Sequence, residues 1–192
     1  MKNLNICIDI DGTITDAYYW LNLSNKYFNT NLSKEQVTEY SIPNVLGVEE
    51  SVYAEFYENH KFQIHLEQEL LPNARKLINK LSIYNNIYFV TARDKSLTML
   101  THGYLKKNEI AYDGLYVLGS PDKVETANQL NCDIFIEDSY DNALQLSNAG
   151  YKVLLIDTNY NRLPLNDNIT RVYNWKEIYK IINKLLLQYE AM

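Results

Sequence analysis

Leu4 to Thr15 reads LNICIDIDGTIT, an apolar run that ends in two aspartates one residue apart, then Gly12 and Thr13. Leu4, Ile6, Ile8 and Ile10 make the run rich in β-branched residues, which predicts a buried strand of a parallel sheet. Asp9 and Asp11 differ by one strand period, so both point to the same side as the chain leaves the sheet. Two carboxylates that close repel, and one is driven neutral unless a cation or a proton sits between them. Gly12 lets the backbone turn sharply and approach a ligand where a Cβ would obstruct. The stretch therefore asks for a hard divalent cation and a nucleophile at the carboxyl edge of a strand.

Outward from that strand, the bulk composition narrows the classes. The chain has 192 residues, enough for one domain with a modest insertion. With 46% apolar and 22% charged residues it reads as an ordinary soluble globular protein. A net charge of −6 and a pI near 5.1, with no compensating basic run, disfavour polymeric nucleic acid as a partner. A small phosphorylated substrate stays possible if a metal and one or two cations meet its charge locally. Cys7 and Cys132 fit no zinc spacing and suit a reducing compartment. No run approaches the ~20 residues of a membrane span, and the N-terminus is too acidic for a signal peptide. The expectation is a cytoplasmic protein with no membrane partner, its oligomeric state undetermined.

After Thr15 the pattern turns helical. Asp16 to about Asn29 suits an aromatic helix capped by Asp16, and Ser33 with Gln36 forms a capping-box signature for a short helix ending before Pro43. Val48 to His60 suits a third helix. From Pro72, placed at the first turn of a helix to Leu81, strands and helices alternate. Strands are expected at Asn86–Val90, Gly114–Leu118, Asp133–Ile136, Lys152–Ile156 and Ile169–Tyr173, and a final helix from Trp175 to about Leu187. The expected fold is thus α/β, a doubly wound parallel sheet with a small helical cap inserted after the first strand. The core would comprise 1–15 and 72–192 and the cap 16–71.

The candidate groups all follow strands: Asp9 and Asp11 the first, Thr91 and Arg93 the second, Ser120 and Lys123 the third, Glu137 and Asp138 the fourth. Open α/β sheets bind ligands at that carboxyl edge, near a topological switch point. Ser120 as N-cap and Pro121 at the first helical position would put Lys123 in a helix's first turn, a ready anion site.

The pieces DIDGT (9–13), FVTAR (89–93), GSPDK (119–123) and FIEDS (135–139), in that order, resemble the haloacid-dehalogenase (HAD) superfamily of phosphohydrolases. Within it the chain most resembles the 5′(3′)-deoxyribonucleotidase-type phosphatases and their bacterial relatives. LSKEQVTEY (32–40), GSPDKVETA (119–127) and IDTNYNR (156–162) carry that likeness. The resemblance implies Asp9 as the nucleophile that forms an aspartyl-phosphate, and Asp11 as general acid and then base. It implies Mg2+ held by the Asp9 carboxylate, the Asp11 backbone carbonyl and Asp138. Glu137 stands where family members often carry a second aspartate, and is expected to act on the ion through water. Thr91 and Lys123 would bind phosphoryl oxygens, with Lys123 also offsetting carboxylate crowding. The implied substrate is a small phosphomonoester, possibly a nucleoside monophosphate.

Blander readings stand beside these. Asp9 and Asp11 could be a strand-end charge pair, Glu137 a solvated acid, and Arg93 either a substrate contact or the partner of an acid. Tyr18, Tyr19, Trp20, Phe56 and Tyr57 could stack on a nucleobase, though packing is the commoner use of such residues. His60, His65 and His102 read as surface or packing residues; Asp157, Asn159 and Arg162 lie at the same carboxyl edge after the fifth strand but read more simply as turn formers. Rival functions are a phosphosugar phosphatase or mutase, a signalling receiver module that takes phosphate without catalysis, and an idle binding protein. The motif order and the position of the insertion speak against the receiver.

Overall fold

The computed structural model describes residues 4–190; the first three and last two, which the expected 1–15 and 72–192 core takes in, lie outside the described residues. Among the described residues the strands are β1 (Asn5–Ile8), β2 (Asn86–Thr91), β3 (Gly114–Val117), β4 (Ile134–Glu137), β5 (Lys152–Ile156) and β6 (Ile169–Val172). They pair in parallel throughout, in the order β3-β2-β1-β4-β5-β6. The chain winds outward from β1 to β3, then restarts on the other side with β4. The switch point falls between β1 and β4, where the DIDGT and FIEDS segments emerge side by side.

Alternation along β1 explains the two cores. Ile6 and Ile8 face one layer with Leu77 and Ile78 of α4 (Ala74–Leu81), Leu105 of α5 (Thr98–Lys107), and Trp175 and Ile178 of α8 (Trp175–Glu190). Cys7 faces the other, with Ala127 of α6 (Val124–Gln129) and Ala143 and Leu146 of α7 (Tyr140–Asn148). Trp175 is fully buried, and its indole Nε1 donates to the Thr13 carbonyl at 3.0 Å. The start of the last helix thereby pins the turn that follows the first strand.

The inserted segment carries α1 (Leu21–Phe28), a 3-10 turn (Lys34–Gln36), α2 (Ile42–Leu46) and α3 (Glu50–Leu66) around its own apolar cluster, with Trp20 and Phe56 at the centre. Its helix boundaries differ from the sequence pattern. Thr15 bridges antiparallel to Leu70, and the Asp16 and Leu71 amides donate to Glu69 and Ile14 carbonyls at 2.9 and 2.8 Å. That pairing holds Thr15 and Asp16 extended, so Asp16 caps a turn through the Tyr18 amide (3.0 Å) and the helix starts at Leu21. The Ser33–Gln36 capping box exists but closes only the 3-10 turn. Pro43 does not stop a helix; it sits in the first turn of α2, where its missing N–H costs nothing. α3 continues past His60 to Leu66. Pro72 lies ahead of α4, which begins after Asn73 in a left-handed conformation (φ 69°).

Candidate active site

Four strand ends converge, each for a local reason. β1 ends at Ile8, yet the Asp9 amide still donates to the Ile136 carbonyl of β4 at 2.9 Å. Asp9 is thus docked against the neighbouring strand before the chain turns. Gly12 makes the turn at φ +76°, and a Cβ there would lie 2.7 Å from the Asp138 Cγ and 2.9 Å from the Tyr160 hydroxyl. Gly12→Ala therefore combines backbone strain with a collision on Asp138. It is expected to lower any turnover at this site at least about tenfold and stability by about 1–3 kcal/mol, read by an activity assay and thermal melting. Melting and turnover equal to the wild type would refute this packing of Gly12 on Asp138.

Lys123 is the central cation. Its Nζ donates to Asp9 Oδ1 and Glu137 Oε1, both at 2.6 Å, with all three residues buried. It precedes α6 rather than sitting in its first turn. Ser120 accepts the Asp122 amide and Asp122 accepts the Val124 amide, so Ser120 and Pro121 form a bend, not the helix start. Lys123 still lies at the helix N-terminus, as its N-cap, with its buried ammonium clasped between two acids.

Glu137 is not a solvated acid. Besides Lys123, its Oε1 accepts from Asn142 Nδ2 at 2.9 Å, and its Oε2 accepts the Asp138 and Ser139 amides at 2.8 and 3.0 Å. Burial alone would raise its carboxyl, but Lys123 and these donors hold it below its ordinary value. Asp138 goes the other way: burial and the charges of Glu137 and Asp9 push it well above the carboxylate range. Asp138 accepts from Thr13 Oγ1 (3.5 Å) and from the Tyr160 hydroxyl, and its carbonyl accepts from Asn161 Nδ2 at 2.7 Å. Burial pushes Asp9 up to about 7 against the pull of Lys123. Ligand atoms of Asp9, Glu137 and Asp138 all lie within 4.8 Å of one another. Three buried carboxylates share one ammonium, which leaves room for a further positive charge.

Asp11 has a separate environment. Arg93 forks onto it, Nε to Oδ2 and NH2 to Oδ1, each at 2.8 Å. Burial would raise the Asp11 carboxyl, but Arg93 holds it well below its usual range. Of the two readings of Arg93, the structure shows the pairing with an acid. Gln68 also donates to Asp11 Oδ1, and His65 Nδ1 lies 3.3 Å from the same oxygen. His65 is buried and belongs to this network, not to the surface or mere packing. Thr91 is buried at the end of β2, where its Oγ1 accepts the Arg93 amide at 3.2 Å.

Asp9, Asp11, Thr91, Arg93, Lys123, Glu137 and Asp138 all line one cavity of about 180 Å³, roofed by Tyr19, Tyr40 and Tyr57. Of the five aromatic candidates in the insertion, Phe56 and Trp20 are buried in its core, and the Tyr18 hydroxyl accepts the Asn159 amide. Only Tyr19 and Tyr57 reach the cavity. Asp157 pairs with Arg162 and Arg171, a bracing role. Sequence reasoning missed Tyr40, Gln68, Asn142, Tyr160 and Asn161. The rule that marked the first four strand ends reaches DTNYNR after β5 as well, but there the residues that contact Asp138 are Tyr160 and Asn161 and not Asp157, Asn159 or Arg162.

Comparison with known proteins gives the family. Residues 2–188 match the family model described as 5′ nucleotidase, deoxy (Pyrimidine), cytosolic type C protein. The chain is 58% identical over its full length, and the full length of the relative, to nucleotidase CA_C3379 of Clostridium acetobutylicum. Its fold is similar to a haloacid dehalogenase-like hydrolase, SP0104, of Streptococcus pneumoniae (TM-score 0.72, 18% identity, 94% of this chain and 98% of that one). It is also similar to the HAD-hydrolase YfnB of Bacillus subtilis, solved bound to magnesium (TM-score 0.61, 17% identity, 95% and 100% coverage).

Proposed function

Since the chain belongs to the cytosolic type C 5′-nucleotidase family of HAD-type phosphatases, we propose that it hydrolyses nucleoside 5′-monophosphates through an aspartyl-phosphate on Asp9, with magnesium as cofactor. The observation that carries the reading is the meeting of Asp9, Glu137 and Asp138 around Lys123, with Asp11 at the same cavity. The donor set fits a hard cation: carboxylate oxygens, buried, with one ammonium among three acids. A magnesium ion would be held by the Asp9 carboxylate, the Asp11 carbonyl and Asp138, and would neutralise charge on the acids and the phosphoryl oxygens. Glu137, with both oxygens engaged by Lys123, Asn142 and two amides, would act on the ion through water.

In the first step an Asp9 oxygen attacks phosphorus, the phosphorus–oxygen bond to the nucleoside breaks, and the departing oxygen takes a proton through Asp11, which Arg93 holds ionised until the monoanionic phosphate ester brings that proton in. In the second, Asp11 takes a proton from water, the water oxygen attacks phosphorus, and the Asp9–phosphorus bond breaks to release inorganic phosphate. Lys123 and Thr91 would bind the phosphoryl oxygens, and most of the acceleration would be charge stabilisation. The inserted segment 16–71 acts as a cap, with Tyr19, Tyr40 and Tyr57 facing the leaving group. Among the described residues no helix is long and apolar enough to cross a membrane.

Phosphate release from a panel of ribo- and deoxyribonucleoside monophosphates and sugar phosphates, with and without chelator, tests the proposal. Turnover should be highest on nucleotides, fall at least about 100-fold with EDTA, and return on adding Mg2+. Preference for sugar phosphates would overturn the substrate assignment, and turnover untouched by chelation would overturn the metal.

A further inference from the structure

The Arg93 fork leaves one Asp11 oxygen within reach of two further groups, and both come from the end of the insertion. Gln68 is buried between α3 and the Leu70 bridge, and its side-chain amide touches every member of the cluster. Its Nε2 donates to Asp11 Oδ1, its Oε1 accepts from Arg93 NH2, and its Nε2 lies 3.2 Å from His65 Nδ1. Gln68 has one N–H for Asp11 and a second for His65 Nδ1 when the His65 proton is on Nε2 and donated to the Tyr57 hydroxyl 3.0 Å away; with the proton on Nδ1, His65 itself donates to Asp11 Oδ1 at 3.3 Å beside Gln68. The far end of the cluster is also tied, since the Tyr104 hydroxyl donates to the Gln68 carbonyl at 3.0 Å and Arg93 NH1 donates to Thr101 Oγ1 at 3.1 Å.

Arg93 alone fixes the plane of the carboxylate but presents the same fork to either tilt. A donor arriving from the side of the insertion removes that freedom. We propose that Gln68, oriented by His65, is a positioning residue that aims the Asp11 carboxyl at the leaving-group oxygen. The inference rests on the phosphatase reading above. It makes the acid's geometry depend on the insertion being docked on the sheet, because Gln68 belongs to the chain returning from α3.

A group that delivers a proton matters most when the leaving oxygen is basic. An alkyl monoester, such as a nucleotide, needs Asp11 to be well aimed, whereas p-nitrophenolate departs with little help. The test is kcat/KM on both substrates, which reports the step up to phosphoryl transfer, for the wild type, Gln68→Met, His65→Leu and His65→Asn. Gln68→Met keeps the shape without the donors, and His65→Asn keeps an acceptor for Gln68. Gln68→Met and His65→Leu should lose about 10- to 100-fold on the nucleotide, mostly in kcat, and at most about threefold on p-nitrophenyl phosphate. His65→Asn should stay within a few-fold of the wild type on both. Equal losses on the two substrates, at unchanged or lowered melting temperature, would mark Gln68 as merely structural and overturn the inference. So would no loss on either. An inactive wild-type chain would overturn the phosphatase reading itself, an outcome the same assay distinguishes.

Discussion

Asp9→Asn is expected to abolish phosphate release, with kcat falling by about 10⁴-fold or more. An amide of the same shape cannot attack phosphorus, and nothing beside it can substitute. Glu137 has both oxygens committed, and Asp11 is gripped by Arg93 on a different side of the cavity. Loss of fold is not the cause to expect. Lys123 keeps its 2.6 Å contact to Glu137, and the substitution removes a carboxylate that burial already disfavours as an ion. The variant should therefore melt no lower than the wild type. Measurable turnover in Asp9→Asn, above that of a mock preparation, would remove Asp9 as nucleophile. Mass spectrometry of quenched wild-type enzyme should find the phosphoryl adduct on the peptide holding Asp9, and its presence elsewhere would have the same consequence.

Lys123→Met should be the most damaging single change to the fold around the site. Lys123 is 1% exposed and clasped by two carboxylates, whose charges hold its ammonium above the usual lysine range despite burial. Removing it leaves Asp9, Glu137 and Asp138 facing one another with no ammonium among them. Breaking a buried ion pair from one side costs about 3–5 kcal/mol. For a chain of this size that is about 10 °C in melting temperature. Added Mg2+ should recover more stability in this variant than in the wild type, since a bound cation restores part of the missing charge. Melting within a degree or two of the wild type, by calorimetry without metal, would contradict the bridging role.

What could be read from the chain beforehand divides along physical lines. The sheet was legible because strand signals are local: an apolar β-branched run, then a turn, then polar residues, repeated at Asp9, Thr91 and Asp138. The residues at the carboxyl edge were legible for the same reason, once the edge rule was applied. The contacts that complete the site were not. Gln68 and His65 reach Asp11 from far along the chain, Gln68 at a separation of 57 positions, and no periodicity marks such a pairing. Lys123 misled in another way. Ser120 and Pro121 carry strong helix-start chemistry, but Asp122 competes for the Val124 amide and moves the start downstream. The first helix of the insertion starts late because Thr15 pairs with Leu70, a tertiary constraint invisible in the composition of either segment.

The Thr15–Leu70 pairing means that the polypeptide leaves the catalytic edge and returns through a single doorway. Each doubling of a flexible excursion from such a doorway costs only about 0.6 kcal/mol in closure entropy. A lineage can therefore lengthen, shorten or exchange the excursion as one contiguous block without reassembling the strands behind it. One condition attaches: Gln68 travels with the block, so any replacement must bring its own donor for Asp11.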